Sequence, residues 1–239
     1  MTRQVGVKRS RQDEIVRELA HEIIGGRRPE GSLLPSDAEL MTRFGVSRTV
    51  LRETLKTLAA KGLIQPKTRV GTRVVERTNW NLFDPDMLRW HLDCGIGLEL
   101  LAHLSDVRLA LEPVAASLAA QRCSEADIAA LHAVVDRMEA PDASSAAFAA
   151  ADLNFHLTIA RLSGNPFFRT ASALIEVALA ATFAITTPVN NPEAKAASCA
   201  AHRHVVTAIA AGNSEAAAAA IVETIRAGAA RVAAAAAGR

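Results

Sequence analysis

The chain has 239 residues, half of them apolar and 22% charged, which allows one large domain or two small ones and argues against wholesale disorder. The opening MTRQVGVKRSRQDE is polar and basic with no apolar core, unlike a secretory signal, and Glu176 interrupts the most apolar stretch, 170–188, so no membrane association is expected. The formal charge of +2 is a cancellation: residues 1–80 hold 16 Lys/Arg against 9 Asp/Glu, a net of +7, and residues 81–239 hold 11 against 16, a net of −5. Of 49 alanines, 45 follow residue 100. This predicts a basic domain suited to a polyanion and a separate acidic one that is not. Cys94, Cys123 and Cys199 are odd in number, far apart and without metal-type spacing, pointing to free thiols in a reducing cytoplasm.

Ile15, Leu19 and Ile23, with Val16 and Ile24 beside them, predict an amphipathic helix over 11–25, stopped by Gly25-Gly26. Ser36 and Glu39 have capping-box spacing, so a second helix begins at Asp37 and ends before Gly45. Ser47 caps a third over 48–61, which Gly62 ends. Two short helices about a glycine turn make a helix-turn-helix pattern. Ser47, Arg48, Thr49 and Arg52 occupy the polar start of the third helix, where a recognition helix meets base edges; a solvated basic face is the alternative. Residues 63–65 and 72–75 read as strands about a basic turn, a wing whose Lys67, Arg69 and Arg73 put cations at its tip.

These residues resemble the winged helix of the GntR superfamily of bacterial transcription regulators, through "GSLLPSDAEL", "FGVSRTVLRETLKTLAAKGLI" and "VGTRVV". The resemblance implies operator contacts at Ser47, Arg48, Thr49 and Arg52, with Gly71 at the wing tip. Ala38 stands where some relatives have an arginine, so their operator sequence does not carry over.

In 78–95, Asp84-Pro85 opens a short helix carrying Met87, Leu88, Trp90 and Leu92. The expectation is that Trp80 and Trp90 fix the orientation of two domains. "NWNLFDPDMLRW" resembles the linker of sugar-acid operon repressors in this family, the galactonate type among them.

From residue 98 only helical patterns follow: 98–121, 124–138, 144–162, one running on to about 186, 193–211 and 214–236. The first has an apolar face at Leu101, Leu104, Val107, Leu111, Val114 and Leu118. The fold class is mainly α: a winged helix-turn-helix (8–77), a linker (78–95) and an antiparallel all-α bundle (96–239) for effector binding and dimerisation. Asp152 and His156, four apart, share a helix face; they suit a structural hydrogen-bonded pair or a metal half-site. His202 aligns with Val205, Val206 and Ile209 and faces inward, whereas His204 does not. Asp152, His156 and His202 together supply one oxygen and two nitrogen ligands. His21, His91, His103 and His132 form no cluster. Arg108 suits a salt bridge to Glu112 or a bidentate clamp on a carboxylate.

"VRLALEP", "ADLNFHLTIA" and "HRHVVTAIAAGN" resemble the all-helical effector domain, termed FCD, of the FadR-like GntR subgroup. The resemblance implies a divalent metal, zinc or similar, at Asp152, His156 and His202, and an effector contact at Arg108. The usual fourth ligand, a histidine on the last helix, is replaced by Thr224. The expected protein is a cytoplasmic homodimeric regulator, a repressor, that binds double-stranded operator DNA and answers to a small carboxylate such as a sugar acid. An acyl-CoA effector is the alternative within the family, and a metal-dependent hydrolase the alternative outside it; no motif supplies the additional general base an enzyme needs.

Overall fold

A computed structural model describes residues 10–237, leaving residues 8, 9, 238 and 239 of the expected domains outside the described residues. The chain divides into two compact units at Gly95–Ile96.

In the first unit, helix α1 (Arg11–Ile24) starts at a Ser10–Asp13 capping box and buries Ile15, Val16, Leu19, Ala20 and Ile23. Helix α2 (Asp37–Phe44) has the expected Ser36–Glu39 capping box and ends at Gly45, whose φ of +62° is the left-handed conformation that closes a helix. Helix α3 (Arg48–Ala60) is capped by Ser47, whose Oγ accepts from Val50 N. Gly62 follows with φ +78°, and a Cβ there would lie 2.5 Å from the Asn79 carbonyl oxygen, so any side chain would clash with backbone.

Strands β1 (Ile64–Lys67) and β2 (Gly71–Val74) form an antiparallel hairpin, Ile64 opposite Val74 and Lys67 opposite Gly71. Leu34 N donates to Thr72 O and Val74 N to Ser32 O, fastening the segment before α2 along the hairpin. Leu19, Leu40, Leu51, Leu58 and Leu63 fill the core, each fully buried side chain contributing about 1.5–3 kcal/mol.

Helix α4 (Pro85–Asp93) is part of this unit rather than a free-standing linker. It packs on α1, and Trp80, Met87 and Trp90 join the same core. Lys61 Nζ donates to Asp84, the α4 cap, at 2.7 Å, and lies 5.3 Å from the Trp90 ring centroid. The tryptophans are therefore core residues of the first unit.

The second unit is a helical bundle: α5 (Leu98–Arg122), α6 (Glu125–Glu139), α7 (Ser145–Leu162), α8 (Pro166–Thr170), α9 (Ser172–Ile185), α10 (Pro192–Ala210) and α11 (Ser214–Ala237). A turn at Ala171 divides the expected single helix before 186 into α8 and α9. Helix α5 lies along α11 and also packs on α7, α9 and α10. Its inward face differs from the apolar stripe read in the sequence. Leu101, Leu104, Arg108, Glu112, Ala115, Ala116 and Ala119 are buried, while Val114 is 49% exposed and Val107, Leu111 and Leu118 are half-buried. From Arg108 onward the inward face lies one residue, roughly 100°, beyond the expected stripe, so alanines meet neighbouring helices at close range and an Arg–Glu pair enters the interior.

By length and composition, Ser172–Asn190 is apolar enough to cross a membrane; Glu176 does not interrupt it as expected. Folded, the α-helical part is the 14 residues of α9, about 21 Å long against the roughly 30 Å of a bilayer core. Leu174, Ile175, Val177, Ala178 and Leu179 are buried within the bundle.

Candidate functional site

In the winged-helix unit, Ser47, Arg48, Thr49 and Arg52 lie exposed at the start of α3. Arg48 has no ion pair among the described residues, and the 68% exposed Arg52 side chain meets only Glu53, at 3.5 Å. Acidic residues are engaged elsewhere: Glu22 by Arg28 and Arg43, Glu18 by Arg43, and Asp84 by Lys61. The amino-terminal turns of α3 therefore keep their positive charge and a favourable helix end for phosphate.

The wing places Lys67, Arg69 and Gly71 in its exposed turn. Arg69 has φ +62°, unusual for a residue with a side chain, and Gly71 has φ +109°, where glycine is favoured. Arg73 is not at the tip as expected. It pairs with Gln65 on the hairpin, is half-buried, and donates through Nη1 to the Gly31 carbonyl at 2.6 Å. Its first role is to hold the hairpin to the turn after α1.

In the helical unit, α7 carries Asp152 and His156 and α10 carries His202, all buried. One potential ligand atom from each lies within 4.8 Å of the others. The spacing of four sets Asp152 and His156 one turn apart, and Phe155 packs edge-on against both imidazoles.

Each histidine is oriented by an acceptor on its far nitrogen. His156 Nδ1 lies 2.5 Å from Glu112 Oε2, and His202 Nδ1 lies 2.7 Å from the Ser198 carbonyl. With Nδ1 donating, both rings turn Nε2 toward Asp152, where it carries the proton of the charged, metal-free form and offers a lone pair to a metal once that proton leaves. His202 Nε2 is 3.1 Å from Asp152 Oδ1 and His156 Nε2 is 3.8 Å from Asp152 Oδ2. Neither His202 Nε2 nor Asp152 Oδ2 has a well-aligned hydrogen-bond partner.

Two nitrogens and an oxygen, with orphaned lone pairs and fixed tautomers, fit a zinc-like divalent ion. Tetrahedral ligands at zinc bond lengths stand about 3.3 Å apart, within the spread of these separations. Thr224 is buried beside the cluster, but its hydroxyl donates to the Ala220 carbonyl at 3.0 Å within its own helix. It does not replace the missing fourth ligand.

Arg108 pairs with Glu112, Nε to Oε1, at 2.5 Å, and its Nη2 is 3.4 Å from both His156 ring nitrogens. Of the two roles read in the sequence, the salt bridge is the one formed here. Glu112 thereby joins Arg108 to His156. Burial alone raises the Glu112 pKa, but the charges and hydrogen bonds of His156 and Arg108 outweigh it and lower it to about 2. Asp152 is also held below its ordinary value: burial raises it, and His202, His156 and Arg108 more than compensate.

Arg108, Asp152, His156 and His202 line a cavity of about 30 Å³, closed by Ser105, Thr182, Thr224, Gly228 and Arg231. It has room for an ion and a water, and is far smaller than the roughly 300–1,000 Å³ of ordinary ligand pockets. Arg231 was not among the predicted site residues. It stands seven residues after Thr224 on the same face of α11, the signal that could have located it. Glu112 was read only as a partner for Arg108; its hold on His156 depends on the approach of α7 to α5.

Comparison with known proteins agrees with this layout. The family described as "Bacterial regulatory proteins, gntR family" matches residues 11–74, and the FCD domain matches residues 103–227. The chain is 34% identical over 174 residues to the galactonate operon transcriptional repressor of Escherichia coli K12, covering 73% of this chain and 76% of that protein. It is 30% identical over 179 residues to the transcriptional repressor NanR of Cronobacter sakazakii, covering 74% of this chain and 68% of that protein. Among solved structures, the Listeria monocytogenes protein Lar, described as controlling expression of the agr system, superposes with a TM-score of 0.59 at 17% identity, covering 94% of this chain and 97% of that one. At that identity the likeness concerns the fold.

Proposed function

The chain belongs to the GntR family of bacterial regulatory proteins and carries the FCD effector domain, and we propose that it is a repressor whose operator binding is controlled by a sugar acid held at Asp152, His156 and His202. Sequence-specific DNA binding under the control of a small effector is the function of its family, and the matched relatives are transcription regulators rather than enzymes. The observation that carries the effector reading is the buried, polar cavity of the helical unit, with its unpartnered Asp152 and His202 atoms. Similarity to a galactonate operon repressor supports a polyhydroxy carboxylate as its ligand class.

In this reading Asp152, His156 and His202 hold a divalent metal, which supplies a Lewis-acidic positive centre for a carboxylate oxygen. Glu112 and the Ser198 carbonyl hold the two imidazoles in the ligating tautomer. Asp152 neutralises part of the positive charge, and Phe155 closes the inner side of the site. A sugar acid needs more space than about 30 Å³, so its entry must separate lining helices. Residues 94–97 join α4 to α5, so the effector and DNA-binding units are linked through a short connector. The ligand can shift that equilibrium only by its differential affinity for the two states.

Ser47, Arg48, Thr49 and Arg52 on α3, with Lys67, Arg69 and Gly71 on the wing, are the proposed DNA contacts, made by a cytoplasmic homodimer on a pseudo-palindromic site. An acyl-CoA ligand fits the lining less well, because the walls carry two arginines, an aspartate and two histidines. A thermal-shift screen of sugar acids, with and without chelator, tests the reading. At least one acid should raise the melting temperature of the helical unit and lose much of that effect on chelation. No shift with any acid would refute the effector assignment.

A further inference from the structure

We propose that Arg231, near the end of the last helix, binds the effector's anionic group. The proposal rests on the effector reading above and adds to it the residue that recognises the ligand.

Two arginines line the cavity. Arg108 is partnered: its Nη2 faces the His156 ring, and its Nε is 2.5 Å from Glu112 Oε1. That bond fixes where Arg108 sits and leaves its terminal nitrogens able to reach a ligand, so Arg231 adds a second cation to the cavity. Arg231 is different. Among the described residues it makes no hydrogen bond or ion pair, and its Nε is buried without a partner. Arg231 as a whole is half-buried, and a guanidinium has five donors and no acceptor, so the donors it turns into the cavity lack a partner until something arrives to accept from them. The acceptor must be anionic or rich in oxygen, and the planar donor fork of arginine matches a carboxylate.

Gly228 supports the same assignment. It lines the cavity three residues before Arg231, within an alanine-rich helix where alanine would be the better helix former. A Cβ at Gly228 would lie 3.8 Å from Arg231 Nη2. The guanidinium therefore folds back over the preceding turn, across a residue with no side chain, into the space beside Thr224.

A carboxylate reaching from the Asp152, His156 and His202 cluster to Arg231 would tie α7 and α10 to α11. Because α11 lies along α5, that tie acts on the helix that leads to the DNA-binding unit. Arg231 is thus a residue that both selects the ligand and pulls on the last helix.

The test uses the full-length protein loaded with zinc and a panel of six-carbon aldonates and aldarates, beginning with D-galactonate, read by calorimetric titration. For the acid that binds, Arg231→Gln should lower affinity roughly 10–100-fold, the effect of removing one charge-assisted recognition pair. Arg231→Lys, which keeps the charge without the fork, should recover part of it. The ligand-free melting temperature of Arg231→Gln should equal or exceed that of the unaltered protein, because no native partner is lost. Arg108→Gln should instead lower it, by breaking the pair with Glu112. If an acid binds the unaltered protein and Arg231→Gln equally well, the effector reading stands and the Arg231 assignment is overturned. If Arg231→Gln destabilises the ligand-free protein as Arg108→Gln does, Arg231 is a structural residue. If no acid binds the unaltered protein, the effector reading fails and Arg231 loses its role with it.

Discussion

Replacing Glu112 with Gln tests whether the interior of the helical unit is organised as described. The carboxylate accepts from Arg108 Nε and His156 Nδ1, both at 2.5 Å, inside a fully buried site. An amide keeps the shape but loses the charge and turns an NH₂ group toward one of these two donors. The Glu112 pKa falls from 4.5 to about 2 on folding, which corresponds to about 3 kcal/mol of stability at neutral pH. Removing one member of a buried ion pair costs about 3–5 kcal/mol, so two routes reach a similar figure. For a unit of this size that is a drop of roughly 6–12 °C in melting temperature. The sign with pH is also fixed. A carboxylate with a depressed folded pKa contributes in full above its unfolded value, about 4.5, and loses that contribution as pH falls through about 2. The assay is thermal unfolding of the helical unit, monitored by circular dichroism from pH 7 to pH 3. The deficit of Glu112→Gln against the unaltered protein should be largest at pH 7 and shrink by roughly half at pH 3. A variant that melts with the unaltered protein at pH 7, or keeps a constant deficit down to pH 3, would refute the buried Arg108–Glu112–His156 chain.

Arg52→Ala should weaken binding to a specific duplex by about 1–3 kcal/mol while affecting nonspecific DNA much less, as read by fluorescence anisotropy; equal losses on both would make Arg52 a phosphate contact only. Removing divalent metal with a chelator should lower the melting temperature of the helical unit, and His202→Ala should make the protein insensitive to chelator; an unchanged chelator effect in that variant would place the metal elsewhere. Gly228→Ala should stabilise the ligand-free protein by up to about 1 kcal/mol through helix propensity, since its new methyl meets only Arg231 Nη2 at 3.8 Å. The same methyl narrows the cavity, so the shift produced by a bound sugar acid should fall; a loss of ligand-free stability would show that the cavity wall is packed more tightly than described.

The winged helix was legible because its signals are local. Ser36 with Glu39, Ser47, Gly45 and Gly62 each set a helix end through bonds within a few residues, and the structure keeps all of them. The pairing of Asp152 with His156 was equally local, and the inward direction of His202 followed from its step to Val205, Val206 and Ile209. What escaped depends on contacts between distant segments. The spacing of Arg73 suggests a wing-tip cation, yet its guanidinium finds the Gly31 carbonyl 42 residues away. The apolar stripe of α5 faces inward only at Leu101 and Leu104; beyond them alanines pack closer than leucines and leave the interior side to Arg108 and Glu112. Glu112 gains its second partner only where α7 comes alongside, and Arg231 is marked in the sequence by nothing more than its seven-residue step from Thr224. Trp80 and Trp90 were expected to serve a junction, and the packing of α4 on α1 places them in a core instead.

The central claim is that a sugar acid bound in the helical unit controls DNA binding by the winged helix. The direct measurement is anisotropy of a labelled duplex, selected by the protein from a random library, titrated with the full-length zinc-loaded protein in the presence of each acid of the aldonate and aldarate panel. The account predicts a selected site of two related half-sites, and one acid that weakens binding to it, with the effect lost in Asp152→Ala. A duplex affinity that shows no sequence preference, or that no acid changes, would contradict it.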